Sequence, residues 1–329
     1  MNQRIDLLNQ ETELLILAAF LPNIEPTFVD VGAERGGFSH WMTQHRFTGF
    51  AIEPMAKHAA ALRELALGGA VKFLPCAVDS EDGTRALHIA TDVEGQPLDH
   101  FHSLERLADD TRVHHTQAVQ VVCRSLASLR AEGSLPARIG LLKIDTEGND
   151  LSVLRGMAPF EAEILMVEYF TTGLYAGWAD ADPLKLITQA ESLGYAHCIA
   201  IRRTLSGLEI VTYQPLSFQP GEWGNLIFLR ESSYPTLRTV LAGLFNEHRT
   251  ASGMIAFADA AFVPNEAMPT TSPEFHAQPA TEPLQREITE LRRVCKERLD
   301  LIEFLHHEAA RRLDLIHELD HQLHPPATP

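Results

Sequence analysis

The chain has 329 residues, 45% of them hydrophobic, with 27 Lys and Arg against 44 Asp and Glu for a formal net charge of −17. That is enough apolar material for one large α/β domain and something smaller, while the acidic balance argues against nucleic acid or an anionic membrane as partner. Four dispersed cysteines with no C-x-x-C suggest neither a disulfide frame nor a zinc site, and fit a reducing cytoplasm.

The first apolar run, Leu14–Leu21, follows Asp6, Glu11 and Glu13. It reads as an amphipathic helix of the core domain rather than a signal segment, and nothing else approaches the ~20 apolar residues of a membrane span. Next comes Thr27–Pro54, around which the domain is organised. A buried strand ending at Asp30, a tight loop Gly32-Ala33-Glu34-Arg35-Gly36-Gly37, a helix and a second strand Thr48–Ile52 make a βαβ unit. The loop and Glu53, at the second strand end, face the crevice where open α/β sheets bind nucleosides.

The loop chemistry selects the nucleoside. A dinucleotide fingerprint needs glycine where this chain has Glu34, because backbone N–H groups must approach a pyrophosphate. An anionic side chain there suits a cationic ligand without phosphate, and S-adenosylmethionine is that ligand. Asp30 would take the methionine ammonium through the loop or a water. Gly32 and Gly36 would let the backbone come close, and Glu53 would accept both ribose hydroxyls. A nicotinamide-dependent oxidoreductase would use the same unit, with Glu34 against it.

Met55–Leu67 reads as a helix and Val71–Val78 as a third strand, with Ala77 and Val78 beside the adenine ring. Thr84–Ala90 reads as a hairpin partner. Asp92–Gln117, with His100, His102, His114 and His115 irregularly spaced, reads as a substrate-covering loop rather than a histidine metal site. Val119–Cys123 is a short strand and Leu126–Glu132 a short helix. In the strand Ile139–Asp145 the period of two puts Lys143 and Asp145 on one face, so the two should pair. Gly148 turns the chain and Asn149 or Asp150 caps the helix that Gly156 stops. Asp145 and Glu147 thus reach the sheet's C-terminal edge, as does Glu168 from the strand Glu163–Phe170. A helix Pro183–Leu193, three late strands (Ala196–Arg202, Leu208–Tyr213, Asn225–Leu229) forming an antiparallel edge, and a closing helix Ser233–His248 complete the domain.

Together VDVGAERGGFS, the IEP at the second strand end and LLKIDTEGNDLSVLRG resemble the FkbM family of S-adenosylmethionine-dependent methyltransferases over roughly Thr27–Arg230. The resemblance implies a Rossmann-like class I methyltransferase sheet and O-methylation of a hydroxyl on a sugar, glycan or secondary metabolite. The family usually has Asn where Glu34 stands, a departure that leaves the cofactor class intact and the role of Glu34 open. Asp145, Glu147 and Glu168 are the candidate bases, with His197 more distant. The same three carboxylates would equally suit a divalent cation such as Mg²⁺, although no dedicated metal motif is present.

Asp259–Pro283 carries five prolines and reads as a disordered linker. Beyond it, Ile288, Cys295, Ile302, Ala309, Ile316 and Leu323 hold one strict heptad position within Leu284–Leu323. That stripe reads as a coiled-coil helix joining copies of the chain into a dimer or trimer. A helix folded back on the domain is the plainer reading of it, and a non-catalytic scaffold recruiting partners through the tail is the third function class. The division is therefore 1–258 catalytic, 259–283 linker and 284–323 oligomerisation helix.

Overall fold

A computed structural model describes residues 11–92, 94–96, 98, 101–106, 113–171, 179–204, 207–211, 216–233 and 256–257. The expected linker, the heptad tail and nearly all of the expected closing helix lie outside the described residues.

The βαβ unit forms as its pattern predicts. β1 (Thr27–Val31), α2 (Gly37–Gln44) and β2 (Thr48–Ile52) follow α1 (Glu11–Phe20), and β1 pairs parallel with β2 from Thr27↔Thr48 to Val31↔Ile52. Next come α3 (Ala59–Leu67), β3 (Val71–Leu74), β4 (Ala77–Val78), β5 (Gly83–Thr91) and β6 (His114–Arg124). The rest is α4 (Leu126–Ala131), β7 (Arg138–Ile144), α5 (Asp150–Arg155), β8 (Glu161–Phe170), α6 (Pro183–Ser192), β9 (His197–Thr204), β10 (Gly207–Val211), β11 (Trp223–Leu229) and β12 (Ala256–Phe257).

Among the described residues the main sheet runs β12-β10-β9-β11-β8-β7-β1-β2-β3. Its β3-β2-β1-β7-β8 half is parallel, and β8-β11-β9-β10 is the expected antiparallel edge. Side chains alternate across it. Val29, Val31, Leu142 and Ile144 face a core that includes Leu126, Leu151 and Leu186 of α4, α5 and α6. Phe28 and Leu141 face the opposite core, with Ile16, Met42 and Leu62 of α1, α2 and α3. Each such buried aliphatic side chain contributes roughly 1.5–3 kcal/mol, so the sheet is fixed from both sides.

Three expectations change. The third strand is not continuous, because Pro75 has no N–H for the ladder and Cys76 turns its N–H back onto Leu74 at 3.0 Å. The chain then leaves the main sheet, and β4 joins β6 and β5 in a separate three-stranded sheet. α3 starts four residues later than expected, since the Met55 N–H is held by the Glu53 carboxylate at 2.8 Å and Met55–His58 forms a turn. Part of the supposed loop is strand: His114–Gln117 belongs to β6, pairing with β5 across a bulge at Ile89/Ala90. The partner of β5 is thus a strand more than twenty residues away rather than the other arm of a tight hairpin. No helix among the described residues is long and apolar enough to cross a membrane, and Cys76, Cys123 and Cys198 are buried free thiols.

Candidate active site

The C-terminal ends of β1, β2, β4, β7 and β8 converge on a cavity of about 550 Å³. Its Glu53 end is built by the first βαβ unit. Gly32 has φ +74, and a Cβ there would lie 1.8 Å from the Asp145 carbonyl oxygen, so only glycine lets the β1 and β7 loops touch. Glu34 also sits at positive φ, 48°, a conformation Asn adopts more readily than Glu. Its backbone N–H donates to Glu53 Oε2 at 3.0 Å while Met55 N–H donates to Oε1 at 2.8 Å. Residue 34 thus aims a main-chain donor at Glu53. Ala77 and Val78 line the cavity as expected, though from β4 in the second sheet.

Two expected contacts differ in kind. Gly36 does not line the cavity: it enters α2 at φ 84, and its missing Cβ makes room for Leu62 and Leu65 of α3. Asp30 is fully buried, accepting from Ser39 Oγ at 2.7 Å and lying 3.5 Å from Lys143 Nζ. It still lines the cavity, and burial raises its pKa despite the nearby lysine.

The other end is acidic. Lys143 pairs with Asp145 at 3.0 Å, as the period of two requires, and also bridges back to Asp30. Asp145, Glu147 and Glu168 each offer an oxygen within 4.8 Å of the others. Burial, then the Asp145 charge, pushes the carboxyls of Glu147 and Glu168 well above their ordinary range. Glu147 itself has φ 55, a strained conformation held by the loop around it. Asp150 does that holding: its carboxylate accepts from Thr146 N at 3.2 Å and Gly148 N at 3.1 Å. Neither Asn149 nor Asp150 caps α5 as a side chain, and Asn149 instead donates to the Val78 carbonyl at 3.1 Å. That bond ties the acidic loop to β4, a link between residues 71 apart that no local pattern announces. His197 pairs with Glu231 at 3.0 Å and is not among the cavity residues.

A family model described as the FkbM methyltransferase domain matches residues 30–196, just over half the chain. The chain belongs to the FkbM methyltransferase family. As a member it is a methyltransferase of the S-adenosylmethionine-dependent class, which argues against the nicotinamide reading. Among solved structures it is similar to an FkbM methyltransferase from Methylobacillus flagellatus KT, at 14% identity and TM-score 0.36, covering 62% of this chain and 43% of that one. The chain thus spans less than half the length of that relative. It is similar also to precorrin-6y C5,15-methyltransferase from Geobacter metallireducens GS-15, at 11% identity, TM-score 0.36 and 70% and 93% coverage. A third is magnesium protoporphyrin IX methyltransferase from Synechocystis PCC 6803 with bound SAM, at 10% identity, TM-score 0.36 and 70% and 87% coverage. No curated protein matches in sequence.

The buried carboxyls of this FkbM chain have a measurable cost. Burial raises Glu53 and Asp150 each to about 7, so the folded state binds their protons more tightly than the unfolded state does. Stability without cofactor should therefore be highest below about pH 4.5 with respect to these groups. It should fall as pH rises through 7, by roughly 3 kcal/mol for Glu53 and roughly 4 kcal/mol for Asp150. Calorimetry between pH 5 and 8 should show a falling melting temperature, less steep in Glu53→Gln; a rising one would contradict the burial.

Proposed function

We propose that the chain transfers a methyl group from S-adenosylmethionine to a hydroxyl of a sugar, glycan or hydroxylated secondary metabolite. The observation that carries this reading is the polarity of one cavity: the buried Glu53 at one end, and three converging carboxylates, two with raised pKa, at the other. The cavity fits the cofactor, because Glu53 stands buried at its β2 end and the loop Gly32-Ala33-Glu34 lines it. Glu53 would hold the ribose, Gly32 and Glu34 the loop side, and Ala77 and Val78 the adenine. When bound, S-adenosylmethionine supplies a methyl group on a sulfonium that needs only an aligned nucleophile.

The remaining work falls to side chains of this chain. Holding an acceptor oxygen in line is worth up to ~7–11 kcal/mol. A hydroxyl must also lose its proton, and a carboxylate whose pKa is raised is, once ionised, a stronger base than an ordinary one. Asp145 is held in an ion pair with Lys143, so Glu168 and Glu147 are the bases of this reading. A hard divalent cation would find its oxygen ligands in the same trio, since their oxygens lie within 4.8 Å. Incubation with methyl-labelled S-adenosylmethionine and hydroxylated acceptors tests the reading. Label on oxygen is expected, and label found only on nitrogen or carbon would overturn it.

The same reading places the catalytic unit in residues 1–258 of a reducing cytoplasm, with 284–323 joining copies through its heptad stripe. A chain ending at Phe257 should bind S-adenosylhomocysteine and scatter light as a smaller particle than the full chain. An unchanged mass would place any interface elsewhere.

A further inference from the structure

Beyond the carboxylate trio the cavity continues along β8, β11 and β9, where Asn225 and Arg203 line it. Both are buried, at 2% exposure, and both are held from behind by a residue far away in sequence. Glu13 of α1, itself fully buried, accepts from Arg203 Nη2 at 2.7 Å and from Asn225 Nδ2 at 2.9 Å. A carboxylate only accepts hydrogen bonds, so the Asn225 amide must turn its NH₂ toward Glu13. Its Oδ1 is thereby committed to the other direction. That oxygen is buried and has no hydrogen-bond partner.

The register supplies the second half. Asn225 of β11 stands directly opposite Glu168 of β8 in the antiparallel ladder. Opposed residues share a face with Cβ atoms about 4.5–5.5 Å apart, which brings their side chains within reach of one small ligand. Glu168 Oε2 is likewise enclosed and without a partner. Two buried acceptor oxygens side by side, each costly to leave unsatisfied, call for a ligand that brings two adjacent donors.

Resting on the O-methylation reading above, we propose that Asn225 is a specificity-determining residue and that the acceptor carries a vicinal diol. One hydroxyl donates to Glu168 and is methylated. Its neighbour donates to Asn225 Oδ1, whose direction Glu13 and Arg203 fix. The proton of the reacting hydroxyl passes to Glu168, the new C–O bond forms on that oxygen, and the C–S bond of the sulfonium breaks to leave the neutral thioether.

The test uses the full chain, methyl-labelled S-adenosylmethionine and a panel of methyl glycosides and inositols, each diol beside its monodeoxy analogue. Wild type should prefer the diol by at least about tenfold in kcat/KM. In Asn225→Leu that preference should collapse toward unity, with S-adenosylhomocysteine affinity within about twofold of wild type. Should the leucine variant not fold, Asn225→Ser retains a donor for Glu13 and should still lose most of the preference. Transfer to no member of the panel would overturn the O-methylation reading itself. Equal transfer by wild type to diol and monodeoxy partner would overturn only the Asn225 assignment. A folded Asn225 variant that keeps the diol preference but loses S-adenosylhomocysteine would place the amide on the cofactor instead.

Discussion

Glu168→Gln should lower turnover by about 10²- to 10⁴-fold, the range for losing a general base, while S-adenosylhomocysteine binds nearly as in wild type. The substitution is isosteric, so the contact with Asp145 can be kept through the amide, yet a neutral amide cannot take a proton from a hydroxyl. A separate readout tells a catalytic defect from a folding one. Because burial and the Asp145 charge hold the Glu168 carboxyl far above its ordinary range, removing that ionisation should make the variant more stable than wild type above neutral pH. Glu147→Gln should behave alike with a smaller loss, since two carboxyls share the task. Wild-type activity should survive EDTA. Activity abolished by EDTA and restored by Mg²⁺ would assign the trio to a cation, and full turnover in both variants would remove them from the chemistry.

Gly32→Ala should abolish measurable cofactor binding and lower the melting temperature. Its Cβ would fall 1.8 Å from the Asp145 carbonyl oxygen, with φ at +74, so neither a rotamer change nor a small shift relieves the clash. The β1 and β7 ends would have to part, and with them the Asp30–Lys143–Asp145 chain of charges. Glu53→Ala makes the contrast. It should weaken S-adenosylhomocysteine binding by roughly 2–3 kcal/mol, as for hydrogen bonds to a charged group, without loss of stability at pH 8. Gly32→Ala with wild-type affinity would show that the backbone approach does not serve the cofactor.

These variants also mark what sequence could and could not reveal. The βαβ unit was legible because each element carries a local period: alternation in β1 and β2, glycines at the turn, and Glu53 just past the strand. The Lys143–Asp145 pair followed from the strand period alone. The break at Pro75 is visible as a residue without an N–H, but the apolar run on both sides of it has the pattern of one strand. Glu13 was the larger omission. Beside Glu11 at the start of an apolar helix it passes for a solvated charge, and its partner Arg203 lies 190 residues away. Asn225 was hidden for the same reason, since its meaning comes from the β8–β11 register, which pairs it with Glu168, and no local spacing encodes that pairing. Long-range polar contacts built the Asn225 end of the cavity, whereas short-range backbone rules built the Glu53 end.

A crystal structure with S-adenosylhomocysteine tests the arrangement most directly. The predicted result has both ribose hydroxyls on the Glu53 carboxylate, adenine beside Ala77 and Val78, and the sulfur directed at the space enclosed by Asp145, Glu147 and Glu168. A ligand bound with its sulfur turned away from those carboxylates, or with Glu53 still held only by the Glu34 and Met55 amides, would contradict it.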